Sequence, residues 1–265
     1  MKDSYRLTSS FGQRLSLLPL CLFLAVIGGA VLALINQLDG HFFRQTFTNK
    51  ELYFALAMSL GTSLLSLCFA VLIALPSAWV MSRITLPFQR VIDTLLDLPM
   101  VLPPLVIGLS LLLLFNAQGY VGQWFPFIRE LIFSPLGIIV AQTYIAASIL
   151  LRNARGAFSS IDPGYCLAAY NLGLSPFNTL CRIELPMCLK PLLCGAILAW
   201  SRAIGEFGAT LMLAGATRFK TETLPMAIYL NIASGDFELA IGAAIWLLLI
   251  SALLLLLLRV INRNI

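Results

Sequence analysis

DPGYCLAAYNLGLSPFNTLCRIELP, residues 162–186, is the passage on which the reading of this chain turns. It lies between two apolar runs and is punctuated by helix start and stop signals. Asp162 can cap a helix whose first residue is Pro163, because the N–H that proline lacks would find no helical acceptor there anyway. Gly173 supplies a left-handed residue that ends this helix after Leu172. Ser175-Pro176 repeats the start signal for a second helix running toward Leu185-Pro186. The pair Ala168-Ala169 gives the first helix a small surface that another body can approach closely. The expectation is a loop of two short helices with a sharp corner between them.

On either side of this loop the chain is greasy. Of 265 residues, 60% are hydrophobic and 11% charged, more apolar surface than a water-soluble domain of this size can hide, so the expected solvent is lipid. Uncharged runs set five spans at Leu15–Leu38, Leu52–Ser82, Leu98–Ile128, Leu131–Leu151 and Leu239–Leu258. A sixth, Pro191–Thr217, is interrupted by Arg202 and Glu206. At 1.5 Å per residue each can cross a hydrocarbon core of about 30 Å. The fold class expected is therefore all-α, a polytopic membrane protein of six helices. Residues 1–51 form an N-terminal segment with the first span, 52–261 the main transmembrane domain, and 262–265 a tail. The first apolar run is long enough to span and lacks a small-residue cleavage site, so no cleavable signal peptide is expected.

The net charge of +5 does not indicate nucleic acid, because the basic residues are scattered through short loops. Counted on alternate sides of the spans, Lys2, Arg6, Arg14, Arg83, Arg90, Arg152, Arg155, Arg182, Lys190, Arg259 and Arg263 share one side. Arg44, Lys50, Arg129, Arg218 and Lys220 share the other. The richer side is expected to be cytoplasmic, which places both termini and the 162–186 loop inside. Six cysteines at 21, 68, 166, 181, 188 and 194 show no C-x-x-C spacing, so neither a zinc site nor a disulfide framework is expected. His41 has no metal-ligand spacing around it and reads as a solvated external residue. Gly215–Thr221, GATRFKT, lacks the second glycine of a phosphate loop. With no nucleotide site of its own, no cofactor and no clustered nucleophile, the chain does not read as an enzyme.

Two polar pairs remain. Arg202 and Glu206 are four residues apart and, on a continuous helix, share a face. Charges at that depth pair with one another or face water, so they read either as a lining of a translocation path, with Arg202 able to meet an anion, or as a packing ion pair. Gly205, Gly208 and Ala209 beside them allow close helix approach. Asp93 and Asp97 form the second pair, just before LPMVLPP. Pro99, Pro103 and Pro104 remove backbone donors there, so Asp97 and these prolines read as a gate or hinge, or as a plain helix entry.

The 162–186 loop also resembles the loop of ABC importer permeases, which reads E-A-A, three residues, G, nine residues, I-x-L-P. Ala168, Ala169, Gly173, Ile183, Leu185 and Pro186 fall on that pattern in register, and Leu167 departs from it where the family usually has Glu. The stretches DLPMVLPPLVIGLSLLLLF (97–115), SRAIGEFGATLMLAG (201–215) and TETLPMAIYLNIASGD (221–236) resemble the permeases of molybdate importers, with GEFGAT at Gly205–Thr210 the most telling. The resemblance implies a type I importer fold and a loop that docks on a separate cytoplasmic ATPase subunit, which binds the ATP. It also implies a permease homodimer and an extracytoplasmic binding protein that delivers a tetrahedral oxyanion, first molybdate, alternatively sulfate, thiosulfate or tungstate. An ion-coupled secondary transporter is the rival from another class, with Glu206 and Asp97 as its only titratable candidates.

Overall fold

A computed structural model describes residues 11–37 and 46–262, with side chains from Leu17 onward in the first stretch. Lys2, Arg6, His41, Arg44, Arg263, the side chain of Arg14 and the tail beyond Asn262 lie outside the described residues. The chain divides into two units after Thr48. The first contributes α1 (Phe11–Ile35), an apolar helix carrying Pro19 in its body.

The second unit is built on α2 (Lys50–Arg83) and α6 (Pro135–Ser159). Along α2, beyond Leu52, the fully buried residues are small: Ala55, Ser59 and Ser63, then Ser66, Ala70, Ala74 and Ala78, each set spaced by four. Residues four apart share a helix face, and small side chains on that face let backbones approach closely. Ala70, Ala74 and Ala78 pack with Ala146, Leu150, Ala154 and Phe158 of α6 in one core cluster. The hydroxyls on the same face tie down other helices. Ser59 Oγ accepts from Leu224 N at 2.7 Å, Ser63 Oγ from Trp200 Nε1 at 3.0 Å, and Ser66 Oγ lies 3.1 Å from Gln142 Oε1.

Between α2 and α6 come α3 (Gln89–Val101), α4 (Pro104–Phe115), α5 (Tyr120–Trp124) and a 3-10 turn, Pro126–Leu131. After α6 follow α7 (Pro163–Asn171), α8 (Pro176–Thr179), a π turn over Leu180–Glu184, α9 (Leu185–Ile204), α10 (Gly208–Ala214), α11 (Leu224–Ser234) and α12 (Phe237–Asn262). Among the described residues there is no strand, and six helical stretches are long and apolar enough to cross a membrane: Leu17–Ile35, Lys50–Arg83, Pro104–Trp124, Pro135–Ser159, Pro176–Ile204 and Phe237–Asn262.

Each span is shifted at its ends from the expected bounds, and the third and fifth start furthest from the expected positions. The third begins at Pro104 rather than Leu98, because Pro99 sits inside α3 and does not break it. The break falls at Leu102–Pro103, both extended, with ψ of 142° and 135°. Prolines at 103 and 104 have no N–H to offer the carbonyls of Pro99 and Met100, so the helical ladder cannot continue. The fifth span runs over Pro176–Ile204 rather than Pro191–Thr217. Its start signal at Ser175-Pro176 feeds through the π turn straight into α9, where Leu185 N bonds Leu180 O. The widened turn precedes Pro186, whose ring would crowd a regular α turn. Ile183, Leu185 and Pro186 thus lie on a membrane-length helix, not in a second short loop helix.

Candidate functional site

The loop corner is held by its own backbone. Asp162 Oδ1 accepts from Gly164 N at 2.8 Å, capping α7. At the other end Gly173 has φ of +81°, Gly173 N bonds Tyr170 O at 2.9 Å, and Leu174 N bonds Ala169 O at 3.1 Å. That pair of bonds defines a Schellman stop. Ser175 Oγ then accepts from Asn178 N to open α8. Of the alanine pair, only Ala168 faces outward. Ala169 is buried against the body of the chain, so the two do not form one small outer surface. The outer face of the corner is instead large and apolar: Tyr165, Leu167, Leu172 and Phe177 are 55%, 60%, 81% and 68% exposed.

Beneath the corner lies Glu184, fully buried at the end of the π turn. Its Oε2 accepts from Trp79 Nε1 at 2.9 Å and lies 3.3 Å from Arg83 Nη2, both on α2. Its Oε1 accepts from the Cys166 thiol of α7 at 3.2 Å. Burial pushes the Cys166 thiol above its usual range, and the neighbouring carboxylate adds to the rise.

The second polar centre is at the α3–α4 break. Arg202 and Glu206 are joined, but not along one helix: α9 ends at Ile204, and Glu206 stands in the Gly205–Phe207 turn. The turn is where Glu206 is needed, since its Oε1 accepts from Ala209 N at 2.9 Å and caps the start of α10. Glu206 is fully buried, whereas the Arg202 side chain is 38% exposed. Arg202 lines a cavity of about 340 Å³ with Pro99–Pro104, Ile145 and Ile149. Gly208 brings α10 against α4, where a Cβ would meet Pro104 Cβ at 2.9 Å. Gly205 has no such neighbour from another helix.

Asp93 and Asp97 do not cap a helix entry. They reach across from α3 to α6, where Asp93 pairs with Arg155 and Asp97 lies 3.4 Å from Arg152.

Residues 74–265 match the family described as the binding-protein-dependent transport system inner membrane component. The chain belongs to that family. It is the permease subunit of a type I ABC importer, a multi-pass inner-membrane protein and not itself an enzyme. The sulfate transport system permease protein CysT of Escherichia coli (strain K12) is 30% identical over 241 residues, 91% of this chain and 87% of its own. The molybdenum transport system permease protein ModB of Mycobacterium tuberculosis (strain ATCC 25618 / H37Rv) is 32% identical over 246 residues, 90% and 93% respectively. Among solved structures, a bacterial alginate ABC transporter crystallised with its alginate pentasaccharide-bound periplasmic protein shares the fold. Its TM-score is 0.77 at 18% identity, over 95% of this chain and 93% of that one.

The permease carries polar residues that the sequence reading passed over. Glu184 occupies the variable position of the I-x-L-P motif, yet it is the only acid between Asp162 and Glu206, which could have flagged it. At the far end of α2, Glu51, Arg218, Glu222 and Asn231 converge. Arg218 Nη1 is 3.4 Å from Glu51 Oε2, Arg218 Nη2 donates to Asn231 Oδ1 at 3.0 Å, and Asn231 Nδ2 donates to Glu51 Oε1 at 2.8 Å. Glu222, fully buried, accepts from Phe219 N at 3.0 Å through Oε2, and its Oε1 has no hydrogen-bond partner. Burial raises its pKa from 4.5 to about 7, and Glu51 pushes the same way against the pull of the Phe219 N–H and Arg218.

Proposed function

We propose that this permease translocates a tetrahedral oxyanion, first molybdate, delivered by an extracytoplasmic binding protein and driven by ATP bound to separate ATPase subunits. Its working form is a homodimer, because one chain offers one docking corner and a pair of ATPase subunits needs two. Both termini and the 162–186 corner face the cytoplasm, following the lysine and arginine count, and the apolar outer face of the corner meets the ATPase. The observation that carries the anion reading is the asymmetry of the buried pair. Glu206 is wholly enclosed and occupied with capping α10, while Arg202 keeps part of its guanidinium on the cavity at the α3–α4 break. A guanidinium presents several fixed N–H donors to the oxygens of a tetrahedral anion. Asp97, Pro99, Pro103 and Pro104 would then frame the passage rather than bind in it.

The likeness to CysT supports sulfate as the second reading, at an identity comparable with that to ModB. The decisive measurement is uptake by proteoliposomes holding the permease, its ATPase and its binding protein, supplied with labelled molybdate and labelled sulfate in separate arms. ATP-dependent uptake of molybdate that excess sulfate does not suppress is expected, and preferential sulfate uptake would replace the first reading with the second. Arg202→Met should abolish uptake while Glu206→Gln, which keeps an acceptor for Ala209 N, retains part of it.

A further inference from the structure

We propose that Glu184 is a positioning residue that makes the docking helix α7, the α8–α9 helix and α2 move as one body during transport. The proposal rests on the corner being the ATPase contact and adds the element through which a push there reaches the membrane. A helix lying outside the spans transmits force only through what it holds on its inner side. Of α7, only Cys166 and Ala169 are buried, and Tyr165, Leu167 and Tyr170 are exposed. The polar part of that inner attachment is the Cys166 thiol on Glu184 Oε1. The same carboxylate holds α2 twice, through Trp79 Nε1 and Arg83 Nη2, so a single buried group joins three elements.

The π turn is what puts it there. One residue fewer between Leu180 and Glu184 would rotate everything before the turn by about 100° relative to α9 and carry Cys166 away from the carboxylate. A carboxylate so enclosed is costly to bury unless it is hydrogen-bonded and paired, and here Trp79 and Cys166 each donate to one of its oxygens while the Arg83 guanidinium supplies the countercharge. The joint therefore resists separation in any direction that would open a gap between α7 and α2.

The test uses the whole transporter, with permease, ATPase and binding protein in proteoliposomes, and compares wild type with Glu184→Gln and Trp79→Phe. Three quantities are read: ATPase subunit co-purified per permease, ATP hydrolysed, and labelled molybdate or sulfate moved per ATP. For Glu184→Gln, co-purification should stay within about twofold of wild type while anion moved per ATP falls at least tenfold. Trp79→Phe, which removes only the indole N–H and keeps the ring packed, should give at least a threefold fall, and it carries the test should Glu184→Gln not be recovered folded. Alkylation of Cys166, read peptide by peptide by mass spectrometry, should be absent in wild type during turnover and appear in Glu184→Gln. A merely structural role would not produce hydrolysis without transport. Unchanged anion per ATP in both variants would overturn the proposal, as would a fall matched by equal loss of bound ATPase, since Glu184 would then only shape the docking face. Wild-type permease that holds no ATPase subunit through this corner at all would instead overturn the reading on which the proposal rests.

Discussion

The two ends of α2 solve the same problem differently. At the Arg83 end, one buried carboxylate, Glu184, meets one arginine and two neutral donors, Trp79 and Cys166. At the Glu51 end, one arginine, Arg218, serves two carboxyls, Glu51 and Glu222, and one oxygen of Glu222 is left without a hydrogen-bond partner. The first end is matched charge for charge by side chains. The second is balanced only when a proton supplies the missing positive charge, and Glu222, at about 7, is where it sits. A joint whose charges are balanced by side chains alone needs no proton, even though Arg83 Nε and Nη2 make no hydrogen bond in it. One completed by a proton depends on the solution outside.

The largest test of this contrast is Arg83→Met. It leaves the enclosed Glu184 carboxylate without its countercharge, and removal of one partner of a buried pair costs about 3–5 kcal/mol. The expected result is a steep drop in the thermal midpoint of the purified permease, and a variant as stable as wild type would break the comparison. Gly173→Val comes next, at about 1–3 kcal/mol, from a β-branched residue forced to φ of +81°. A Cβ there meets nothing within 4 Å, so the cost is backbone strain alone and Gly173→Asn should be milder. Because the corner lies outside the spans, the permease should insert normally and lose co-purifying ATPase.

The third prediction concerns pH. The folded state holds the Glu222 proton more tightly than the unfolded chain does, so its contribution is complete below about pH 4.5. It falls as pH rises toward about 7. The slope in that window is at most about 1.4 kcal/mol per pH unit. Hydrogen exchange at residues 216–223, corrected for intrinsic rates, should show protection falling between pH 5 and 7, and Glu222→Gln should flatten that slope. The smallest effect is expected from Arg218→Met. Its side chain is 43% exposed and Glu51 keeps Asn231, so about 1 kcal/mol is expected in the thermal midpoint at neutral pH. A loss equal to that of Arg83→Met would erase the distinction between the two ends.

Much of this was legible in sequence, and the reasons are specific. Long uncharged runs announce membrane helices because lipid leaves the backbone no other partner, and the Asp162-Pro163 and Gly173 signals act within a few residues of themselves. What local rules could not supply was the tertiary use of a side chain. Glu206 reads as helical four residues after Arg202, yet it leaves the helix to cap α10, a bond visible only once Ala209 is placed. Ala70, Ala74 and Ala78 hold the central contact, but alanines are invisible inside a run that is apolar throughout. Glu184 sat in a motif position that tolerates any residue, so the motif did not point to it, and only its being the one acid between Asp162 and Glu206 could have. Asp93 and Asp97 needed α6 alongside before their partners could be named.

The twin prolines at 103 and 104 have a consequence for the kinds of movement open to this chain. The donors missing opposite Pro99 and Met100 are absent by covalent structure, so no ligand, lipid or partner can supply the two helical hydrogen bonds that would join α3 to α4. Bending there does not have to break helical hydrogen bonds, because none span the junction to be broken. Arg202 stands beside this permanent swivel. Rotation about a few backbone torsions at Leu102 and Pro103 would therefore redraw the walls around its guanidinium while leaving both flanking helices intact.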